Sequence, residues 1–593
     1  MATTGTEDKL LEALARLESE ASVVKKRFNQ YVQENLGQVR GDGQWKMRTR
    51  KPYFLYNVIQ ENIDNKVGKL SETKPKVRIL PLANGLSAVA DILGTSTDYV
   101  WNETSAEAKL ERAAHFGAVM GTAFIETRWN PSLRFGQGEI EMFLRDPRTV
   151  RFDPMIKDPS ELKAAQYVIW DEIVPLSVIQ AEYPGRGALV IPDSRNSVYD
   201  EPDTTAQGRV KSAAQTLQKR GSQGRGLTIP RAVIKTHYIV DRRSSVEDMG
   251  FNFPILDGIT EVAPGNGTPF PGGRRIITAM SGNGPVVLHD SYNKYWDGEW
   301  PIDMLAWNID VESAWGPDDV QRQIKTQEAI NRLGDAYVGN ALKNAIIRYV
   351  VDRGAIDPQE LKKFAEDAAE IIYKNPGRTL ERAVPPPLPA EMLGFISSLI
   401  DLTKRNIGVL DPQLEKKMPS IVTGPAIEGL QVAMEGSIRT ASRRMEEFIQ
   451  RIGNKIVSRI FQYWNSPRLI HFVGTTGEWR EFEFHRSQLL MMKDPKTGRS
   501  KPRSIEELQK AYRDFRFVVE PGSSLAVTKV QRAMMRLEMF KVGGMRLSKV
   551  MEEMGIENPE EEIEKAREER EKYGLTPPEE GDGRKKGNAM GGG

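Results

Sequence analysis

Five histidines, many carboxylates and the lysine pair Lys416-Lys417 are the residues here whose types and spacing could do chemistry. His115, His237, His289, His471 and His485 lie far apart, and none has the H-x-x-x-H spacing that sets two imidazoles on one helix face for zinc. They read as structural or surface histidines. Cysteine is absent, which removes disulfides, thiolate metal sites and a cysteine nucleophile. No G-x-x-x-x-G-K-[ST] cradle and no G-x-S-x-G elbow occurs. Asp318-Asp319 follows Gly316-Pro317, which reads as helix-start chemistry: proline at the first helical position and acids at the positive helix end. A metal-dependent nuclease whose acids converge only in the fold is the alternative that composition leaves open.

The lysine pair sits in LDPQLEKKMPSIVTGPAIEGL, residues 410–430, where Pro412, Pro419 and Pro425 fence Lys416 and Lys417. Read locally, the pair is either solvated charge or a contact for something negative. Net charge over the chain is only +2, from 83 basic and 81 acidic residues. That balance argues against a protein that coats nucleic acid over its whole surface, and leaves room for a local basic feature.

At 593 residues the chain is too long for one hydrophobic core and should divide into domains. Hydrophobic residues make up 39% and charged residues 28%, a balance that suits a large hydrated surface. No apolar run approaches the roughly 18 residues of a membrane span, and the acids of MATTGTEDKLLEALARLESE do not suit a signal peptide. A reducing cytoplasm is the expected site of synthesis.

Leu10, Leu11, Leu14, Leu17, Phe28, Tyr31, Val32 and Leu36 keep a helical rhythm that Gly41 and Gly43 end. RGDGQWKMRTRK, residues 40–51, carries five bases against one acid, a run for DNA, capsid protein or water. YNVIQENIDNKVGKLSETKP reads as helix and KVRILPL as strand. From about 118 to 310 the signals are mostly strands: TAFIETRWN, TVRFDP, AQYVIWDEIV and VIKTHYIVDR, bounded by Pro, Gly and Asp. Residues 197–226 are too polar to offset the entropy of ordering and read as a mobile insertion. Residues 263–275 read as a turn-rich loop. A helix is expected from Pro317 to about Asn344, then a short αβ stretch, a stiff connection PGRTLERAVPPPLP, and a second helix AEMLGFISSLIDLTKRNIG. Ile427, Leu430, Met434, Ile438, Met445, Phe448, Ile452, Ile456 and Ile460 define a long helix, about 60 Å at ~1.5 Å per residue over residues 425–466. LIHFV, WREFEFH and FRFVVEPG read as strands. A last helical section starts near Val527, and residues 552–571 hold ten acids against three bases.

The order of these pieces resembles the portal proteins of tailed bacteriophages, most like the larger portals of short-tailed phages, over about residues 50–574. YNVIQENIDNKVGKLSETKPKVRILPL looks like the family's wing helix and strand. MGTAFIETRWN, GEIEMFLRDPRTVRFDP and AQYVIWDEIVPLSVIQAEYPG look like its wing β-region. WPIDMLAWNIDVESAWGPDDVQRQIKTQEAINRL resembles the start of the first stem helix. LTKRNIGVLDPQ and SIVTGPAIEGLQVAMEGSIRTASRRMEEFIQRIG resemble the second stem helix, tunnel loop and long wing helix.

The resemblance implies an α+β, multidomain portal-type fold. Residues 1–316 would be N-terminal helix and wing, 317–344 the first stem helix, 345–387 a small αβ clip and 388–408 the second stem helix. Residues 409–424 would be the tunnel loop, 425–520 the long wing helix and wing strands, 521–574 a helical crown and 575–593 a disordered tail. It implies a homo-oligomeric ring, usually of twelve subunits, at one capsid vertex of the virion and assembled in the host bacterial cytoplasm. Double-stranded DNA would be packaged and ejected through its channel. The implied partners are major capsid and scaffold proteins, the terminase large subunit and tail adaptor proteins, with no membrane. Neither a catalytic residue nor a metal or cofactor is implied, and the missing P-loop fits a motor that is a separate protein. Lys416 and Lys417 would form a positive collar toward the phosphates, with Lys404 and Arg405 as weaker channel candidates that could equally make ion pairs in the stem. A head or tail scaffold component that forms no ring is a third reading.

Overall fold

The computed structural model describes residues 2–41, 54–71, 77–82, 86–192, 229–246, 253–264, 267–281, 284–345, 348–351, 377, 380–383, 391–407, 436–473, 479–493, 500–502, 511–519 and 563. The chain forms two compact units, one of residues 1–472 with 481–524 and one of 473–480 with 525–593. The first unit is mixed α and β.

The heptad-like stripe at the N-terminus forms α1, Ala2–Arg40, which stops at Gly41 with φ +85°. Then come α2 (Val58–Ser71), β1 (Val77–Pro81), α3 (Ser87–Glu103) and α4 (Ala106–Met120). The strands β2 (Thr122–Asn130), β3 (Glu139–Arg145), β4 (Val150–Phe152) and β5 (Tyr167–Pro175) precede α5 (Leu176–Glu182). Next are β6 (Arg231–Ile239), β7 (Thr260–Glu261), β8 (Arg274–Ser281), β9 (Gly284–Tyr292) and β10 (Ile302–Ala306). Farther along the chain lie α6 (Ile324–Ala345), β11 (Arg348–Val351), β12 (Leu380–Ala383), α7 (Glu391–Ile407), α8 (Gly436–Tyr463) and β13 (Phe515–Val519). Between α8 and β13 the strand-like runs at Arg468–Val473 and Trp479–Phe484 are also strands.

Two sheets make the body. One has six strands in the order β4-β5-β6-β8-β9-β7, antiparallel except for the parallel β7–β9 pair. The other has the order β10-β2-β3, with Ile302 opposite Glu126 and Phe124 opposite Arg145. Alternation along β5 explains the layering. Tyr167 and Ile169 face Leu10, Leu14 and Ala21 of α1, in a core shared with Ile239, Ile276 and Val287. Val168 and Trp170 face the other way and meet Phe124, Phe152, Ile302 and Met304 between the sheets. Farther along that face α5 packs Ile179 among Ile234, Ile277 and Leu288.

Several expectations are corrected. The helix expected from Pro317 begins at Ile324. Leu380–Ala383, expected within a stiff connection, is a strand paired with Arg348–Val351, because LERA lies ahead of the prolines and keeps its backbone donors. Within the expected 263–275 loop, Arg274 already belongs to β8. Helices α3 and α4 were not anticipated. Residues 425–435 of the long helix, and the 197–226 insertion, lie outside the described residues.

Candidate functional site

Residues 307–327 carry the chain from the three-stranded sheet into α6, and this joint is built from polar side chains. Gly121 makes it possible. With φ +81° it turns α4 into β2, and a Cβ there would stand 1.9 Å from the Gly316 carbonyl oxygen. The loop therefore passes directly over the start of β2, where Trp307 N donates to Gly121 O at 2.8 Å and Asp319 N to Ala118 O at 3.0 Å.

Asp319 is the hub of the joint. Its Oδ2 accepts from Lys66 Nζ of α2 at 2.7 Å and from Trp307 Nε1 at 2.6 Å, and its Oδ1 from Asn308 Nδ2 at 3.2 Å. The Lys66 and Asp319 side chains are 3% and 1% exposed. A pair this dry holds only because both charges are matched and further donors complete the carboxylate. One helical turn on, Asn62 Nδ2 donates to Gln323 Oε1 at 2.8 Å. Gln327 Oε1 then accepts from Val58 N at 2.9 Å and its Nε2 donates to Tyr56 O at 2.6 Å. The first turn of α2 has backbone donors with no intrahelical partner, and a glutamine from another helix supplies one.

The expectation that Asp318 and Asp319 open a helix at Pro317 is thus corrected. Asp318 keeps a local capping role: its Oδ1 accepts from Gln321 N at 2.7 Å, and burial holds its carboxyl above the usual range. Asp319 instead turns to Lys66, which lies 253 positions away in sequence. A buried ammonium needs a counter-charge more than a helix end needs a second acid.

Beyond the joint, α6 and α7 pair over Val58, Ile330 and Ile396, with Phe54, Leu333, Leu399 and Ile400 against them. Phe54 sits so close to α6 that a Cβ at Gly334 would stand 2.0 Å from its ring, and Phe54 N donates to Asp335 Oδ1 at 2.8 Å. Lys404 of α7 lies in an ion pair, its Nζ 3.1 Å from Glu61 Oε1 of α2. The two helices keep Leu342, Leu393, Phe395 and Leu402 exposed. Between them in sequence stands the β11–β12 pair.

The long helix α8 is fastened on two sides. Ile438, Met445, Phe448, Ile452, Ile456 and Ile460 are buried. Its cations run along the edge of β10 that β2 leaves open. Arg444 donates to Trp307 O, Arg451 to Met304 O at 2.7 Å and Lys455 to Ile302 O at 3.1 Å. Lys455 also pairs with Asp303 at 2.8 Å. Arg459 pairs with Asp297 and lies 3.7 Å over the Tyr295 ring.

Lys416 and Lys417 lie outside the described residues, as does most of the basic 40–51 run, and Arg405 is placed in α7 by its backbone only. The described histidines do not converge. His237 Nε2 is 3.0 Å from Glu18, His289 Nε2 3.0 Å from Ser291 Oγ and His485 Nε2 3.1 Å from Glu483. Among the described residues no group of three or more His, Cys, Asp or Glu could hold a metal, and no helix is long and apolar enough to cross a membrane. Sequence reasoning missed the Lys66–Asp319 pair and the α8 cations. The signal available for the latter was the spacing of Arg444, Arg451, Lys455 and Arg459 at helical intervals.

Comparison with protein families settles what this architecture belongs to. The family model for the phage P22-like portal protein matches residues 26–225 and 338–590. The chain belongs to the phage P22-like portal protein family. No curated protein matches it. The matched segments include α2 through α5 on one side of the gap, and α7, α8 and β13 on the other. Portal proteins are structural parts of the phage capsid vertex, where they connect capsid and tail, and that is the function of this chain rather than nuclease action. The two unmatched described regions, the start of α1 and the stretch from β6 into α6, meet in one core, where Leu10, Leu14 and Ala21 pack on Ile239, Ile276 and Val287.

Proposed function

We propose that the protein closes into a ring of twelve subunits whose axial channel passes double-stranded DNA during packaging and ejection. In this reading α6 and α7 are the stem helices around the channel, residues 345–387 the clip and 521–574 the crown. The clip docks the terminase large subunit and later the tail adaptor proteins, while the wing meets capsid and scaffold proteins during assembly in the host cytoplasm. The chain itself catalyses nothing. The observation that carries the reading is the family match over residues 26–225 and 338–590, which takes in the end of α6, the clip segment and all of α7. The exposed Leu342 of α6 and Phe395 and Leu402 on one face of α7 support it, because exposed apolar side chains on a helix pair call for a neighbour.

In such a ring Lys416 and Lys417 of every subunit repeat around the axis and set a modest positive collar, tempered by Asp411 and Glu415. Lys404 is paired with Glu61, so the collar rests on the loop lysines. Electron microscopy with mass measurement tests the assembly: twelve chains of 66.7 kDa give a closed particle of about 800 kDa with an axial opening. A folded protein that stays dimeric even with scaffold or capsid protein present would refute it. Lys416→Ala with Lys417→Ala is expected to leave rings intact and impair packaging or DNA retention. Unchanged DNA handling in assembled particles would remove the collar from the mechanism.

A further inference from the structure

The turn between β2 and β3, residues 131–138, holds Arg134 and Phe135 at φ 50° and 55°. Side chains with a Cβ avoid this left-handed region, and an aromatic residue there is strained. The turn is nevertheless firmly held. Arg134 Nε lies 3.3 Å from Glu139, and the buried Arg468 donates through Nη2 to the Gln137 and Gly138 carbonyls, each at 3.0 Å. Trp129 below it stacks on Tyr463 at 4.9 Å. This fixed, strained backbone presents Phe135 fully to solvent, with Leu133 also exposed beside it. Strain held in place at a surface, with a phenyl ring offered to water, marks a contact made elsewhere.

The complement is on the same chain, at the other end of the same sheet. β10 runs antiparallel to β2, so that Ala306 lies opposite Thr122, at the start of β2. The nine residues of β2 separate that end from the turn by about 30 Å. Just past β10 the loop Ile309-Asp310-Val311-Glu312 exposes Ile309 by 70% and Val311 by 89%. The turn offers Leu133 and Phe135 and the loop Ile309 and Val311, apolar surface to apolar surface; with Glu139 shared between Arg134 and Arg468, the turn keeps one net positive charge toward Asp310 and Glu312. Complementary patches at opposite ends of one element make a heterologous, head-to-tail contact, and such contacts close into rings when the rotation allows.

We infer that the β2–β3 turn of one copy docks on the 309–312 loop of the next. The inference rests on the proposed ring and adds to it a named contact between wings. The occupant is a second copy, because the charge and apolar complement both lie on this chain.

The absence of cysteine makes the test clean. Chains carrying only Phe135→Cys and chains carrying only Val311→Cys are co-assembled with different tags and oxidised. Mixed-tag disulfide dimers are expected from the assembled particles, since a disulfide forms only when the two Cα atoms come within about 7 Å. Closed rings without such dimers would overturn this contact and leave the ring reading standing. Parent chains, with Phe135 and Val311 in place, that form no ring under the same conditions would overturn both. A second variant, Phe135→Gly, relaxes the backbone and removes the ring. It is expected to fold at least as stably as the parent while its assembly weakens by roughly tenfold or more, the scale of losing one buried aromatic side chain. Assembly equal to the parent's would overturn the inference.

Discussion

Two helices are docked on the first unit in opposite ways. α1 lies on the six-stranded sheet through Leu10, Leu14 and Ala21, and adds ion pairs beside that apolar stripe: Glu7 with Arg186, and Glu18 with Lys235 and the buried His237. α6 enters through a joint whose centre is polar, with Asp319, Gln323 and Gln327 each matched to a partner on or next to α2. An apolar stripe is satisfied by any close packing, so it gives affinity with little directional demand. Hydrogen-bonded charges demand one geometry, and an unmatched group costs more than a matched one contributes. The joint therefore fixes the angle at which α6 leaves the body, while the α1 interface mainly supplies buried area.

Breaking the joint should show the largest effect. Lys66→Met strands Asp319 without its counter-ion, and a loss of about 3–5 kcal/mol in denaturant unfolding is expected. Adding Asp319→Asn should recover part of it, since the remaining amide needs no counter-charge; a double variant as unstable as the single would show that geometry rather than charge dominates. Gln327→Ala, at the same joint, removes the side-chain bonds to Val58 N and Tyr56 O, which keep their 3.1 Å bond to each other, and should cost about 1–3 kcal/mol. Hydrogen exchange at the start of α2 should rise with it, and unchanged protection there would assign the cap elsewhere.

The α1 side is sharpened by pH. Burial alone would raise the Glu18 carboxyl, but the hydrogen bond with His237 and the charge of Lys235 outweigh it and bring the group from 4.5 down to about 2. A depressed folded-state value contributes stability that is complete above pH 4.5 and lost as pH falls toward 2. Glu18→Gln should flatten that part of the stability profile and leave the profile above it parallel to the parent's. A parallel profile throughout the acid range would show that Glu18 is not held this way.

Much of the architecture was legible in the sequence because its signals are local. The stripe of α1, the alternation in TAFIETRWN and AQYVIWDEIV, and the spacing from Ile438 to Ile460 each carry their own period. Helices α3 and α4 were not legible, since Ala113, Ala114 and Ala118 fill the core of α4 where larger side chains would have drawn the period. LERA was masked by the prolines that follow it. The joint was the least legible of all. Nothing near Asp319 points to Lys66, and nothing near Lys404 points to Glu61, because each pairing exists only after α2 has been brought against α6 and α7. Asp318-Asp319 looked like a helix start because local rules had no competitor in view.

The cations of α8 along β10 have a mechanical consequence. Arg451 and Lys455 meet carbonyls two residues apart on a strand, while Arg444 and Arg459 fix the ends of the same line. Sliding the helix by one turn, about 5.4 Å, would lift every one of these side chains off its acceptor at once. The row acts as a detent: small axial loads on α8 are resisted without displacement, and a load large enough to move it releases all the contacts together. It also leaves the outer edge of β10 no carbonyls at Ile302 and Met304 for a foreign strand to pair with.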